Sequence, residues 1–292
     1  MRLAGLGGAL IQLGQEGQVP DPRYRQIADE LERQITSGAL TPGVRLLTEH
    51  ELQLRYQASR NTVRDAVRWL TIRGLVETRP GQGTFVVRPP DPYVTTLSAD
   101  LETGLGGGEG EAFYREVTDQ GRHAYVPDPQ VEVTGASGVV AAELRIPEGT
   151  SVVGRRLRRF IDGAPSSLQT TYYPMSLVEE GAQRLLSAET IFPGTVSYLR
   201  ETLGLEQARY RDRITVRVPD NSEMAFFRLR EEGRVSVLET FRTAFDSADK
   251  PFRLTVTIFA ADRNQFTVFT GRVPDAARLV TPLPTARKAS DG

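Results

Sequence analysis

The stretch "SRNTVRDAVRWL", residues 59–70, decides how the first third of this chain is read. Successive residues of an α-helix turn by about 100°. On that wheel Val63, Ala66, Val67 and Leu70 share one arc of roughly 100°, while Arg60, Asn61, Arg64 and Arg68 share another. Ser59 just before them is a good N-cap, because its hydroxyl can accept an orphan backbone N–H. The apolar arc requires a core to bury it. The arginine arc requires either water or something negatively charged.

The flanks choose between those two. Upstream, "TEHELQLRYQ" places Thr48 and Glu51 at capping-box spacing, with Leu52 as an apolar anchor. Only Gln57-Ala58 then separates this short helix from Ser59, so the two helices must cross steeply, as in a helix-turn-helix. Earlier still, Asp21 is expected to cap a helix whose first residue is Pro22, with Tyr24, Ile27, Leu31 and Ile35 at helical spacing. Gly38 ends it, and "LTPG" (40–43) is a turn. Downstream of Gly74, "LVETR" and "TFVVR" read as two short strands joined by "PGQG" (80–83), a hairpin or wing. Gly81 and Gly83 allow positive φ and close approach to another backbone. From Arg55 to Arg88 there are seven arginines against two acids, Asp65 and Glu77. Guanidinium forks match guanine O6/N7 or phosphate oxygens, and Asn61 can read adenine or a phosphate. A helix held on a core, with a basic face and a glycine wing, points to double-stranded DNA.

That charge is local. The whole chain has 292 residues, 36 basic against 37 acidic, and a formal net charge of −1, so no global field attracts nucleic acid. All the basic residues but Lys250 and Lys288 are arginine, so an arginine stripe arises partly by composition. There are no cysteines, which removes disulfides, zinc-thiolate sites and a cysteine nucleophile. Two histidines far apart, His50 and His123, argue against a histidine metal site or a Ser-His-Asp triad. We expect neither a metal nor a cofactor. No run of about 18 apolar residues occurs, and residues 1–20 read as a loose tail rather than a signal peptide, so a cytoplasmic protein is expected.

Residues 22–87 resemble the winged helix-turn-helix of GntR-type bacterial transcription regulators. "SRNTVRDAVRWLTIRGLVETRPGQGTFV" is similar to that family's recognition helix and wing nearly residue for residue. The resemblance implies that Ser59, Arg60, Asn61, Thr62 and Arg64 face DNA, with Arg79, Gly81, Gln82 and Gly83 reaching the minor groove. Thr48 and His50 join that set at the start of the second helix. The family commonly begins this helix Pro-Ser-Glu-Arg, where this chain reads Leu47-Thr48-Glu49-His50; His50 replaces an arginine that often contacts DNA.

The domains are expected at 21–88 for the DNA-binding unit, 89–111 for a flexible linker and 112–275 for a second domain, with a tail over 276–292. The linker turns from proline to glycine and acid. Its "GLGGGEG" (104–110) lacks the strand and βαβ unit that a phosphate-binding loop needs. In the second domain "AAELRIPEGTSVVGRRLRRFID" (141–162) lines up with "AFFRLREEGRVSVLETFRTAFD" (225–246), an offset of 84 residues. "QVEVTG" (130–135) matches "ITVRVP" (214–219), and after a two-residue insertion "PSSLQTTYY" (165–173) matches "PFRLTVTIF" (251–259). Each unit reads strand, short helix, strand, turn, strand. Two such units give about six mostly antiparallel strands with helices to one side, an α+β fold.

This second pattern resembles the effector-binding UTRA domain of the HutC branch of GntR regulators, which is chorismate-lyase-like. That family's domain binds small metabolites, often anionic. The resemblance implies an effector site drawn from Arg159, Gln169, Thr171, Tyr173, Arg213, Glu239 and Thr257. The family often has Glu-Arg-Ser where this chain has Gln169-Thr170-Thr171, and Glu where Arg253 stands, so a sugar phosphate is not assumed. The expected protein is a ligand-responsive repressor, a homodimer that places two recognition helices on a palindromic operator. Its alternative is a DNA-binding repressor whose C-terminal domain only dimerises. No acid–base pair or partnered nucleophile supports an enzyme.

Overall fold

Helix-forming and strand-forming signals separate in the chain as they do in sequence. The computed structural model describes residues 21–87, 92–96, 111–229 and 235–268; the two tails and the glycine run 104–110 lie outside them. Contacts divide the chain into two units, 1–88 and 89–292.

In the first unit three helices, α1 (Arg23–Thr36), α2 (Glu49–Tyr56) and α3 (Arg60–Ile72), precede a hairpin of β1 (Val76–Arg79) and β2 (Gly83–Val86). α1 begins one residue later than expected. Pro22 occupies its cap position with an extended ψ of 142° and no side-chain cap, while the Asp21 carbonyl accepts a bond from Gln26. Ile27, Ala28 and Leu31 of α1, Leu52 of α2 and Val63, Ala66 and Leu70 of α3 form one buried core, closed by Leu75, Val76 and Val86. Each fully buried valine or leucine contributes about 1.5–3 kcal/mol relative to exposure, which is what holds α3 in place. One feature had no sequence signal. Residues 44–46 run along β2 as a short third strand, with Leu46 N–H on the Thr84 carbonyl (2.7 Å) and Val86 N–H on the Val44 carbonyl (2.8 Å).

The second unit opens with β3 (Tyr93–Thr96), which lies inside the expected linker. Its residues 93–95 are buried, and it pairs in parallel with the last strand of the described chain, so this part of the linker is built into the domain. Next come α4 (Glu111–Asp119), β4 (Ala124–Tyr125), β5 (Gln130–Gly135), α5 (Gly138–Leu144), β6 (Ser151–Ile161) and β7 (Ala164–Pro174). α6 (Met175–Glu179), a 3-10 turn (Gln183–Leu186) and α7 (Thr195–Leu203) follow. The chain then runs through β8 (Arg209–Arg217), α8 (Asn221–Phe227), β9 (Val237–Phe245), β10 (Pro251–Ala260) and β11 (Asn264–Thr267). A seven-stranded antiparallel sheet has the order β4-β6-β7-β10-β9-β8, with β5 also on β6; β11 pairs with β3.

Helices cover both faces of this sheet rather than one. α5 packs on Val152, Leu254 and Val256, and α8 on Val237, Ile258 and Ala260, all of one face. α6, the 3-10 turn and α7 pack on Val153, Tyr173 and Ala244 of the other. The segment 175–205 is rich enough in leucine to bury the second face too, which the reading of strands alone left uncovered.

Candidate functional site

In the first unit, the starts of α2 and α3 are each set by a side-chain cap. Thr48 accepts Glu51 N–H (3.3 Å) and Glu51 returns to Thr48 N (2.7 Å), the full capping box. The Thr48 hydroxyl also donates to Glu51 (2.8 Å), so this side chain is occupied in building α2. Gln57 then takes a left-handed φ of 48° to make the tight turn. Ser59 caps α3 by accepting Thr62 N–H (3.2 Å), and the two hydroxyls share a 2.8 Å bond. Asn61, Arg64 and Arg68 stand exposed on the far side of α3 from Val63, Ala66 and Leu70.

Two of the arginines are not loose. Arg60 donates from Nε to Glu49 Oε2 (3.2 Å), and Arg64 Nε lies 3.7 Å from Glu49 Oε1. His50 is the exposed neighbour of Glu49 at the start of α2. On the wing, Arg79 is tied to Glu77 (2.6 Å from Nε) and lies over the Phe85 ring at 4.5 Å. Gly81 (φ 71°) and Gly83 (φ 113°) shape the turn, and Gln82 N–H bonds the Arg79 carbonyl. A Cβ at Gly83 would fall 2.5 Å from Arg45 Nε, the far end of a flexible side chain that can move aside, so it is the φ of 113° that calls for glycine here.

In the second unit, side chains alternate between the sheet faces. Gln169, Thr171 and Tyr173 of β7 therefore share a face with Arg155, Leu157 and Arg159 of β6, as the register pairs Arg155 with Thr171 and Leu157 with Gln169. These six line one cavity with about 60 Å³ of enclosed space, open to solvent at its mouth. Its other walls are Phe113 and Tyr114 of α4, Val126, Pro129, and the segment Thr190, Ile191, Gly194 and Thr195 that leads into α7. Among the described residues, no Asp or Glu lines it.

Arg159 is 2% exposed and its guanidinium lies 4.5 Å over the Phe113 ring. Arg155 is committed to the fold. Its Nη1 donates to the carbonyls of Arg184, Leu185 and Ser187, and its Nη2 to that of Glu189. Tyr173 donates to Thr195 Oγ1 (2.8 Å), which fixes the first turn of α7 at the cavity. Thr171 shares a 3.3 Å bond with Thr255 and accepts from Gln169 at 3.3 Å.

Of the expected effector residues, Arg159, Gln169, Thr171 and Tyr173 come together here. Thr257 lies beside Gln169 on the same face, in the next strand, but does not line the cavity. Arg213 and Glu239 fall on the opposite face. There Arg213 pairs with Glu143 (2.9 Å), and Glu239 with Arg217 (2.9 Å). Parity along β6 points to Arg155 once Arg159 is chosen. Nothing in the sequence pointed to Phe113, Tyr114 or residues 190–195, because they reach the cavity from distant elements. Arg253, the departure from the family pattern, is buried and donates to Gln207 (2.7 Å). Among the described residues, no helix is long and apolar enough to cross a membrane, and no cluster of three acids or histidines could hold a metal ion.

Comparison with known proteins agrees with this division. The family model described as bacterial regulatory proteins, gntR family, matches residues 23–86, and the UTRA domain model matches residues 121–265. Transcriptional regulator PhnF of Escherichia coli (strain K12) is 26% identical, over 84% of this chain and 94% of its own length. The transcriptional repressor NagR of Bacillus subtilis (strain 168) is 42% identical over 72 residues, 25% of this chain and 30% of that protein. A GntR-family regulator of known crystal structure shares the fold with a TM-score of 0.64 and 23% identity, over 87% of this chain and 99% of that one.

Proposed function

The chain belongs to the GntR family of bacterial transcription regulators and carries a UTRA domain, and from this we infer a repressor of the HutC branch whose operator affinity answers to a small anionic effector. It is a DNA-binding regulator, not an enzyme. The observation that carries the DNA-reading role is α3: its apolar arc is buried to 0% exposure at Val63, Ala66 and Leu70, while Arg60 and Arg64 stand on the outer side. An α-helix so mounted enters the major groove with its N-terminal residues first.

The cavity under β6 and β7 is the proposed effector site. Two buried arginines, with no acid among the described residues of its walls, favour an anion. A ligand preferring one arrangement of the protein shifts operator affinity by its differential binding energy. The sheet around the cavity is proposed to descend from a duplicated unit in a chorismate-lyase-like domain. The order β5-α5-β6-β7 recurs as β8-α8-β9-β10, and the central pair supports it. Thr170 faces Val256, its equivalent in the aligned repeat, with 169 opposite 257 and 171 opposite 255, as a local two-fold axis would place them.

Two copies are proposed to pair through this domain, placing two heads on a palindromic operator. An apolar stripe on the outer strand β8 supports that: Ile214 and Val216 are 47% and 63% exposed, with Val218 beyond them. Footprinting of the full-length protein on the DNA flanking its own gene, with a thermal-shift screen of metabolites, tests the reading. A footprint without symmetric halves would overturn the palindrome, and a screen in which no metabolite raises Tm would overturn the effector site.

A further inference from the structure

The short strand at 44–46 brings one more arginine to the wing. Leu46 is buried in the core, while Arg45 beside it is exposed. Side chains alternate along a strand, so Arg45 faces away from that core. Its bridge partner on β2 is Phe85, and β1 sets Glu77 opposite Phe85 and Arg79 opposite Gly83. Arg45, Phe85, Gly83, Glu77 and Arg79 therefore share the outer face of a three-stranded sheet. The two arginines of that face differ. Arg79 is tied to Glu77 and lies over the Phe85 ring. Arg45 is in no ion pair among the described residues, and its guanidinium rests against the wing backbone, in the space that a Gly83 side chain would take.

The chain fixes where this charge lies. Arg45 stands three residues before Thr48, the cap of α2, and Glu49 at the start of α2 bonds Arg60 at the start of α3 (3.2 Å). The backbone of Arg45 is thus anchored near both helix starts, and its guanidinium lies on the wing turn. An α3 in the major groove and a wing turn in the next minor groove straddle the single phosphate backbone that divides the two. A cation between α2 and the wing meets that backbone rather than base edges. A guanidinium fork suits it, since two parallel N–H···O bonds can reach one phosphate.

We propose that Arg45 is a phosphate contact of the winged unit, gripping the DNA backbone between the two grooves and setting how α3 sits without reading sequence. This rests on α3 and the wing facing DNA. Arg60, Arg64 and Arg79 each have a carboxylate to leave before they meet a phosphate, Glu49 for the first two and Glu77 for the third. Arg45 has none to leave.

The test measures the full-length protein on its footprinted operator and on an unrelated duplex, by fluorescence anisotropy between about 50 and 200 mM salt. In Arg45→Gln the affinity for both duplexes should fall about fivefold with the ratio between them kept, and the log–log salt slope should drop by about one per bound head. Arg45→Lys keeps the charge and should keep the slope. Neutral methylphosphonates placed singly along the operator locate the contact. At one phosphate under each head, on the strand between the two grooves, wild type should lose affinity and Arg45→Gln should not. Wild-type affinity and slope in Arg45→Gln overturn the proposal. A loss confined to the operator overturns it too, by making Arg45 a reader of bases. Weaker binding with an unchanged slope, or no phosphate to which the variant is indifferent, would reduce its role to the structure of the wing. If wild type itself shows no salt-dependent binding to DNA, the reading of α3 falls as well; if wild type binds and the variant matches it, only the Arg45 contact fails.

Discussion

Glu49 holds two arginines of α3, the proposed DNA-reading helix, Arg60 at 3.2 Å and Arg64 at 3.7 Å. Both guanidinium groups are well exposed, so the pairs contribute at most about 1 kcal/mol to the fold. Their consequence is for DNA. A carboxylate between two arginines fixes where the forks point and also brings a negative charge toward the phosphates. Glu49→Gln should therefore raise affinity for both operator and unrelated DNA while reducing the ratio between them, as read by fluorescence anisotropy on both sequences. An unchanged ratio would show that Glu49 does not set the geometry. Arg64→Ala should weaken operator binding by about 1–3 kcal/mol if it reads a base. If it touches a phosphate instead, the loss should be uniform across sequences and the salt slope should fall by about one.

At the scale of elements, the first unit was legible because each local signal agrees with the others. The capping box, the Gln57 turn, the Ser59 cap and the period of α3 all demand the same arrangement, and the structure shows each. What escaped was non-local: the strand at 44–46, which forms only because β2 lies beside it, and β3, which looks like linker until β11 pairs with it. The wing is the place where one atom decides. Gly83→Ala forces a positive φ on a side chain and displaces the Arg45 guanidinium, so the N-terminal unit should lose about 1 kcal/mol or more, chiefly to the backbone strain, measured by urea denaturation. Glu143, between α5 and β8, makes the second unit sensitive to acid. Burial would raise its proton affinity, but the bonds from Thr243 and Arg211 and the charges of Arg211 and Arg213 prevail and hold it below the usual glutamate value. Its stabilisation is thus complete above the unfolded pKa of about 4.3 and is lost as pH falls through the lower folded value. Glu143→Gln should flatten that part of the stability–pH curve.

For the whole molecule, the limit of the sequence is visible in the proposed effector residues. Period-two alternation correctly grouped Gln169, Thr171 and Tyr173, because it works within one strand. It could not say which face of β8 or β9 turns toward them, since that depends on registers set by tertiary packing, and Arg213 and Glu239 lie on the other side. The same registers turn Ile214 and Val216 of the outer strand β8 into an exposed apolar stripe, and this makes the proposed assembly testable. Charging the stripe with Val216→Arg should leave the protomer folded, since that side chain is mostly in water, but should dissociate the pair in sedimentation velocity. Each head alone would then bind a half-site as before. Affinity for the full operator would fall about 10²-fold or more, because the second head is no longer held at high effective concentration beside the first. A monomeric variant that keeps full operator affinity would mean that the heads do not act as a tethered pair. A variant that remains a dimer would place the pairing surface elsewhere on the domain.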